Sequence, residues 1–94
     1  MAYSYLDADD SFVGHGPSIG GACAMFDEIR NKASKGAYPA LNKLLTSGEC
    51  EDLTNLKGEA LRLMTHVTDK DVKDSLMRLA RAASLAKGKV VLSY

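Results

Sequence analysis

Apolar residues recur at helical spacing in three long stretches of the chain. Ile19, Ala22, Cys23, Phe26, Ile29 and Ala33 form one stripe; Leu53, Leu56, Ala60, Leu63, Met64 and Val67 form a second; Val72, Leu76, Leu79, Ala80, Ala83 and Ala86 form a third. Residues three and four apart share a helix face, so each stripe predicts an amphipathic helix with one side turned to a core. A shorter stripe, Leu41, Leu44 and Leu45, follows Pro39, whose missing amide is not needed at a first helical position, and Ser47-Gly48 closes it. The spacing predicts helices over 18–34, 38–46, 50–67 and 69–87, with connections of a few residues.

The boundaries agree with this reading. "TDKD", Thr68 to Asp71, has the pattern of a capping box, with the Thr68 hydroxyl bonding the Asp71 amide and the Asp71 carboxylate returning the bond. Gly36 and Gly88 follow Lys-containing last turns and suit the left-handed position beyond a helix end. The fold class expected is all-α: a single domain spanning residues 1–94, built as a small four-helix bundle whose second helix is short.

Both ends depart from helical patterning. "KVVLSY" carries Val90, Val91, Leu92 and Tyr94, and "AYSYL" alternates aromatic and small residues. Two outcomes follow: the tails pair as a minimal β-ribbon against the bundle, or the C-terminal tail docks on a second subunit, since exposed apolar residues at a free end invite a partner.

Composition narrows the class without changing the architecture. With 46% hydrophobic and 26% charged residues among 94, the chain has the balance of an ordinary folded domain. Twelve Lys plus Arg offset twelve Asp plus Glu, so the whole molecule offers nucleic acid or an anionic membrane no bulk attraction. The distribution is polar: Asp7, Asp9, Asp10, Asp27 and Glu28 lie in the first 28 residues with no Lys or Arg, while Arg78, Arg81, Lys87 and Lys89 end the chain with no acid. Helix-dipole complementarity and contact between the two ends account for this, as would head-to-tail or two-fold pairing of subunits. "MAYSYLDADD" has no apolar signal region and no apolar run reaches membrane-spanning length, so the expected setting is cytoplasmic, with Cys23 and Cys50 as reduced thiols; a bridge between the two helices is the geometric alternative.

The stretch "GHGPSIGG" is the one local pattern suggesting a ligand. Gly14, Gly16 and Gly20 are spaced one residue too long for a dinucleotide fingerprint, and no Gly-Lys-Ser/Thr follows to make a P-loop. A bare helix N-terminus could still hold a phosphate or carboxylate on its amides, with Gly14, His15, Gly16, Ser18, Gly20 and Gly21 as the candidate ligand-binding residues. The competing expectation is close helix packing at Gly20 and Ala24, spaced four apart on one surface.

Other chemistry finds little support. Counting from Asp7, a calcium loop would need Gly at Phe12 and Glu at Ser18. His15, Cys23, Cys50 and His66 match no short zinc-ligand pairing. Nothing local activates either thiol, and Glu59 with Arg62, like Asp74 with Arg78, reads as an exposed intrahelical pair. The basic residues at the end of the last helix share it with Asp69, Asp71 and Asp74 and have no interleaved aromatic, which argues against nucleic acid.

"NLKGEALRL", Asn55 to Leu63, resembles the central helix of histidine-phosphotransfer domains through Leu56, Lys57, Gly58, Ala60 and Leu63. Thr54 stands where that family has its phospho-accepting histidine. The resemblance implies a degenerate bundle that docks onto a partner without accepting phosphate; at nine residues of 94 it does not assign the family. The expected function is a non-catalytic protein-interaction or regulatory module, self-associating as a homodimer or binding another protein, with no cofactor, metal, nucleic acid or membrane. Its contact regions would be Gly20, Ala24, Val90, Val91, Leu92 and Tyr94. The alternative is a small-ligand binder using the glycine-rich helix start.

Overall fold

The structure, a computed structural model, describes residues 2–18, 20, 27 and 37–93. Its element order is β1 (Ala2–Leu6), β2 (Phe12–Ser18), α1 (Pro39–Ser47), β3 (Glu49–Cys50), α2 (Leu53–Met64), α3 (Lys70–Leu85) and β4 (Val90–Ser93). The strands form one antiparallel sheet in the order β2-β1-β4-β3. The fold is therefore α+β, and the expected all-α four-helix bundle is corrected.

The correction has a physical cause. Two terminal strands alone would be marginal, but four strands backed by helices bury a continuous apolar face. The chain ends do meet, Tyr5 opposite Leu92 and Leu6 opposite Val91, and they do so as the central pair of the sheet rather than as an isolated ribbon. Val90 is fully buried, and β3 extends the sheet by placing Cys50 opposite Val90 and Glu49 opposite Val91. The Leu92 amide donates to the Gly48 carbonyl at 2.7 Å, and Lys89 Nζ reaches Glu49 Oε2 at 3.0 Å.

Strand β2 occupies the segment expected to lead into a bare helix start. It pairs with β1 through two irregularities, between Ala2 and Ser4 and between Tyr5 and Leu6. An edge strand tolerates Pro17, because only one side of it joins the ladder. A Cβ on Gly16 would lie 2.9 Å from the Tyr3 carbonyl oxygen, so glycine there permits the close approach of β1. The hairpin between the strands turns on Asp7, whose Oδ1 accepts from the amides of Asp9 at 2.9 Å and Ser11 at 3.1 Å, while Asp10 takes φ 60.

Helices α1, α2 and α3 follow the predicted stripes. The core gathers Leu41 and Leu44 from α1, Leu56, Ala60 and Leu63 from α2, Val72, Leu76, Leu79 and Ala83 from α3, and Tyr5, Cys50 and Val90 from the sheet. Helices α2 and α3 pack against each other and α3 also packs on β2. Gly48 takes φ 82 as the left-handed cap of α1, whereas α3 ends in extended backbone at Ala86 and the φ of 82 at Gly88 belongs to the turn leading into β4. The capping box expected at Thr68 is replaced by a cap one residue later: Asp69 accepts from the amides of Asp71 at 2.8 Å and Val72 at 3.3 Å. A short carboxylate next to the first helical residue reaches both free amides, which leaves Thr68 outside the helix start.

The expected helix over 18–34 begins in a segment that is strand up to Ser18. Gly20 and Asp27 are helical, and the rest of that expectation, including Ala22, Cys23, Phe26 and Ile29, lies outside the described residues.

Candidate functional site

Described residues line a cavity and a groove. The first, about 240 Å³, lies between the start of α1 and the start of α2 and is lined by Pro39, Ala40, Lys43, Cys50, Glu51, Asp52, Asn55 and Glu59. It brings together a thiol, three carboxylates and an ammonium, so their present use decides what it can do.

Glu59 is committed to the fold. Tyr38 at the N-cap position supplies no side-chain hydrogen bond, so the first amides of α1 need a distant acceptor. Glu59, only 4% exposed, reaches across from α2: Oε1 accepts from the Ala40 amide at 2.9 Å and the Leu41 amide at 3.1 Å, and Oε2 accepts from Ala40 at 3.1 Å. A carboxylate at a helix N-terminus is also favoured by the dipole. One turn along, Arg62 donates to the Ala37 carbonyl and lies 5.0 Å from the centre of the Tyr38 ring. The expected Glu59–Arg62 surface pair is thus corrected: both side chains grip the entry to α1, because a carboxylate on the buried stripe has the free amides of α1 within reach.

Cys50 is buried and not in a disulfide. Burial pushes its thiol above the ordinary value; a backbone hydrogen bond from Asp52 and the nearby Lys43 ammonium oppose that without cancelling it. A thiol held in its neutral form is a poor nucleophile. Lys43 and Glu51 pair at 2.8 Å on the rim, each holding the other charged, so Glu51 titrates lower and Lys43 higher than usual. Asp52 caps α2 and is bonded by Asn55. The groups of this cavity are engaged with one another.

The second concavity is a groove of about 520 Å³ between α2 and α3, lined by Leu53, Thr54, Lys57, Gly58, Leu61, Ala83 and Ser84. Its floor is low because Gly58 has no side chain, and nothing lies within 4 Å of where its Cβ would stand. Leu61 beside it is 41% exposed. Lys57 is exposed, and among the described residues it has no carboxylate partner. An unfilled floor, an exposed leucine and an unpaired cation stand together here.

The residues singled out from the sequence fall elsewhere. Gly14, His15 and Gly16 lie within strand β2, as does Ser18 at its end, so the amides of Gly14 to Gly16 do not form a helix start. Gly14 faces Tyr5 and Ala82, and Gly16 meets Tyr3. His15 is exposed and stacks edge-on with Phe12 at 5.1 Å, while its carbonyl accepts from Arg78 Nε at 3.1 Å. Arg78 also donates to Ser75 Oγ, so the expected pairing with Asp74 gives way to contacts that tie α3 to β2. Burial raises the Tyr5 hydroxyl well above its ordinary range, against a smaller opposing effect of Arg78. Gly20 is helical and exposed; Gly21, Ala24 and Tyr94 lie outside the described residues. Val90, Val91 and Leu92 sit in a strand paired on both sides.

Among the described residues no group of three or more His, Cys, Asp and Glu side chains converges on one point, and no helix is long and apolar enough to cross a membrane. No family model matches the chain, and no curated protein or solved structure matches it.

Proposed function

We propose that the protein is a non-catalytic interaction module whose binding face is the groove between α2 and α3. The observation that carries this reading is Gly58. A glycine inside a helix destabilises it by about 1 kcal/mol relative to alanine, and here no neighbouring atom needs the space. Glycine at this position leaves room on the outer surface, beside an exposed leucine, for a side chain the molecule does not itself supply. The engaged state of Cys50 and Glu59 supports the same reading, since the cavity richest in reactive groups has none free to act on a substrate.

A photo-crosslinking amino acid placed at Leu61 tests the proposal in living cells. The expected result is a discrete protein adduct that disappears when Gly58 is also replaced by leucine, which fills the floor. An adduct of twice 10.1 kDa identifies a second copy as the partner. Absence of any adduct, or an adduct of equal yield in the Gly58→Leu background, overturns the reading.

A further inference from the structure

We infer that the occupant of the groove is an acidic amphipathic helix of a partner protein, an assignment that rests on the interaction-module reading above. The two walls supply the argument. On α2, Leu53, Lys57, Leu61 and Met64 recur at helical spacing on the flank that meets α3. On α3, Lys73 and Met77 precede Ser84 by eleven and seven residues, which places them on the flank Ser84 presents to the groove. Met77 is 51% exposed, so the apolar line begun by Leu53 and Leu61 continues across the seam.

The charges on these flanks have one sign. Lys57 and Lys73 are both exposed, and neither has a carboxylate partner among the described residues. The acids of α3 point elsewhere: at about 100° per residue, Asp74 and Asp71 are turned about 80° and 140° from the direction of Ser84. The one acid within α2, Glu59, is buried against α1. A helix seated in a groove is held by apolar anchors one and two turns apart, with its flanking side chains over the rims. Here the anchors meet Leu61, Met77 and the low floor at Gly58 and Ala83, and the flanks meet lysines. Glutamate or aspartate on the incoming helix is therefore attracted, and lysine or arginine is repelled. Nucleic acid, the other anionic occupant, is disfavoured because the groove lining holds no aromatic ring on which a base would stack.

The test is selection from a displayed library of helical peptides, with leucine fixed at heptad anchor positions and all flanking positions randomised. Selection on the wild-type protein is paired with counter-selection on Gly58→Leu. Recovered sequences are expected to be enriched in Glu and Asp over Lys and Arg, and a representative peptide is expected to bind roughly tenfold more weakly to Lys57→Glu and to Lys73→Glu. Unaltered thermal melting of both variants ensures that the loss is one of binding. Recovery of groove-dependent peptides without acidic enrichment, or affinity indifferent to both lysine reversals, overturns the acidic occupant while leaving the groove as the binding face. Recovery of no peptide, or of peptides that bind Gly58→Leu equally, overturns the interaction-module reading itself. A wild-type dimer that Gly58→Leu converts to monomer overturns the acidic partner helix in favour of a second copy.

Discussion

Glu59 offers the sharpest separation between a local and a tertiary role. If it were a surface partner of Arg62, its removal would alter stability by about 0.3–0.5 kcal/mol. The structure instead makes it the acceptor for two amides of α1, with heavy-atom distances of 2.9–3.1 Å, in a site where Ala40 and Leu41 are themselves buried. Truncation in Glu59→Ala strands both donors, at about 1–3 kcal/mol each, and removes a charge–dipole attraction of about 0.3–1 kcal/mol. Water entering the adjoining cavity relieves part of this, so the expected loss is about 3 kcal/mol. That is a large share of the roughly 5–14 kcal/mol available to a domain of this length. Glu59→Gln keeps the volume and the oxygen that both amides use, but sets an NH2 group where Oε2 accepts from Ala40, and is expected to lose about 1–2 kcal/mol. Urea unfolding followed by circular dichroism measures both, with the denaturant slope checked for constancy. A Glu59→Ala midpoint within about 0.5 kcal/mol of wild type, or a Gln variant weaker than the Ala variant, would refute the cap.

Gly58→Ala and Gly16→Ala are expected to have opposite signs. The first adds a methyl in open space and raises stability by about 0.5–1 kcal/mol, seen as a melting-point gain of several degrees; the second sets a Cβ against the Tyr3 backbone and lowers it by about 1–3 kcal/mol. A shared sign in the two melting curves contradicts the geometry. For Asp7, burial favours the neutral acid, but hydrogen bonds from Ser11, Asp9 and Lys87 outweigh it and hold the carboxyl below its ordinary 3.8. Its stabilisation is therefore complete above the unfolded value and is lost as pH falls through the folded one. Urea midpoints taken down a series of acidic pH values should fall less steeply for Asp7→Asn than for wild type, and identical acid limbs would count against the turn. Peptide-resolved alkylation should find Cys50 protected until the fold opens, and rapid labelling of native protein at neutral pH would show that its thiol is neither buried nor raised.

What the sequence made legible follows from how each element is stabilised. Helices α2 and α3 fall within their predicted spans and α1 runs one residue past the end of its own, because each buries a stripe long enough to establish its period. The terminal strands were legible only as a minimal ribbon, through the alternation in "AYSYL" and the apolar end at Val90 to Leu92, because five and four residues are too few to show that a sheet forms around them; β3, with two residues, left no signal. Strand β2 is longer but carries Gly14, Gly16 and Pro17, which signal a turn everywhere except on an irregular edge strand. Their meaning depends on Tyr3 and Ala82, residues distant in sequence that only the assembled sheet brings near.

Glu59 shows that some tertiary contacts do leave a trace. It lies between Leu56, Ala60 and Leu63 on the buried side of α2, an anomalous place for a carboxylate unless donors face it. Nineteen residues earlier, α1 opens on Pro39 and Ala40 with no capping side chain before them, an anomalous start unless an acceptor faces it. Either irregularity alone is uninformative, but a helix without a cap and a buried acid without a partner answer each other. Gly58 is the complementary case, a helix-interior glycine for which no answering residue exists among those described. The first irregularity is resolved inside the chain; under the proposed function the second is met by a partner molecule, whose charge would complement Lys57 and Lys73 on the flanks of the groove.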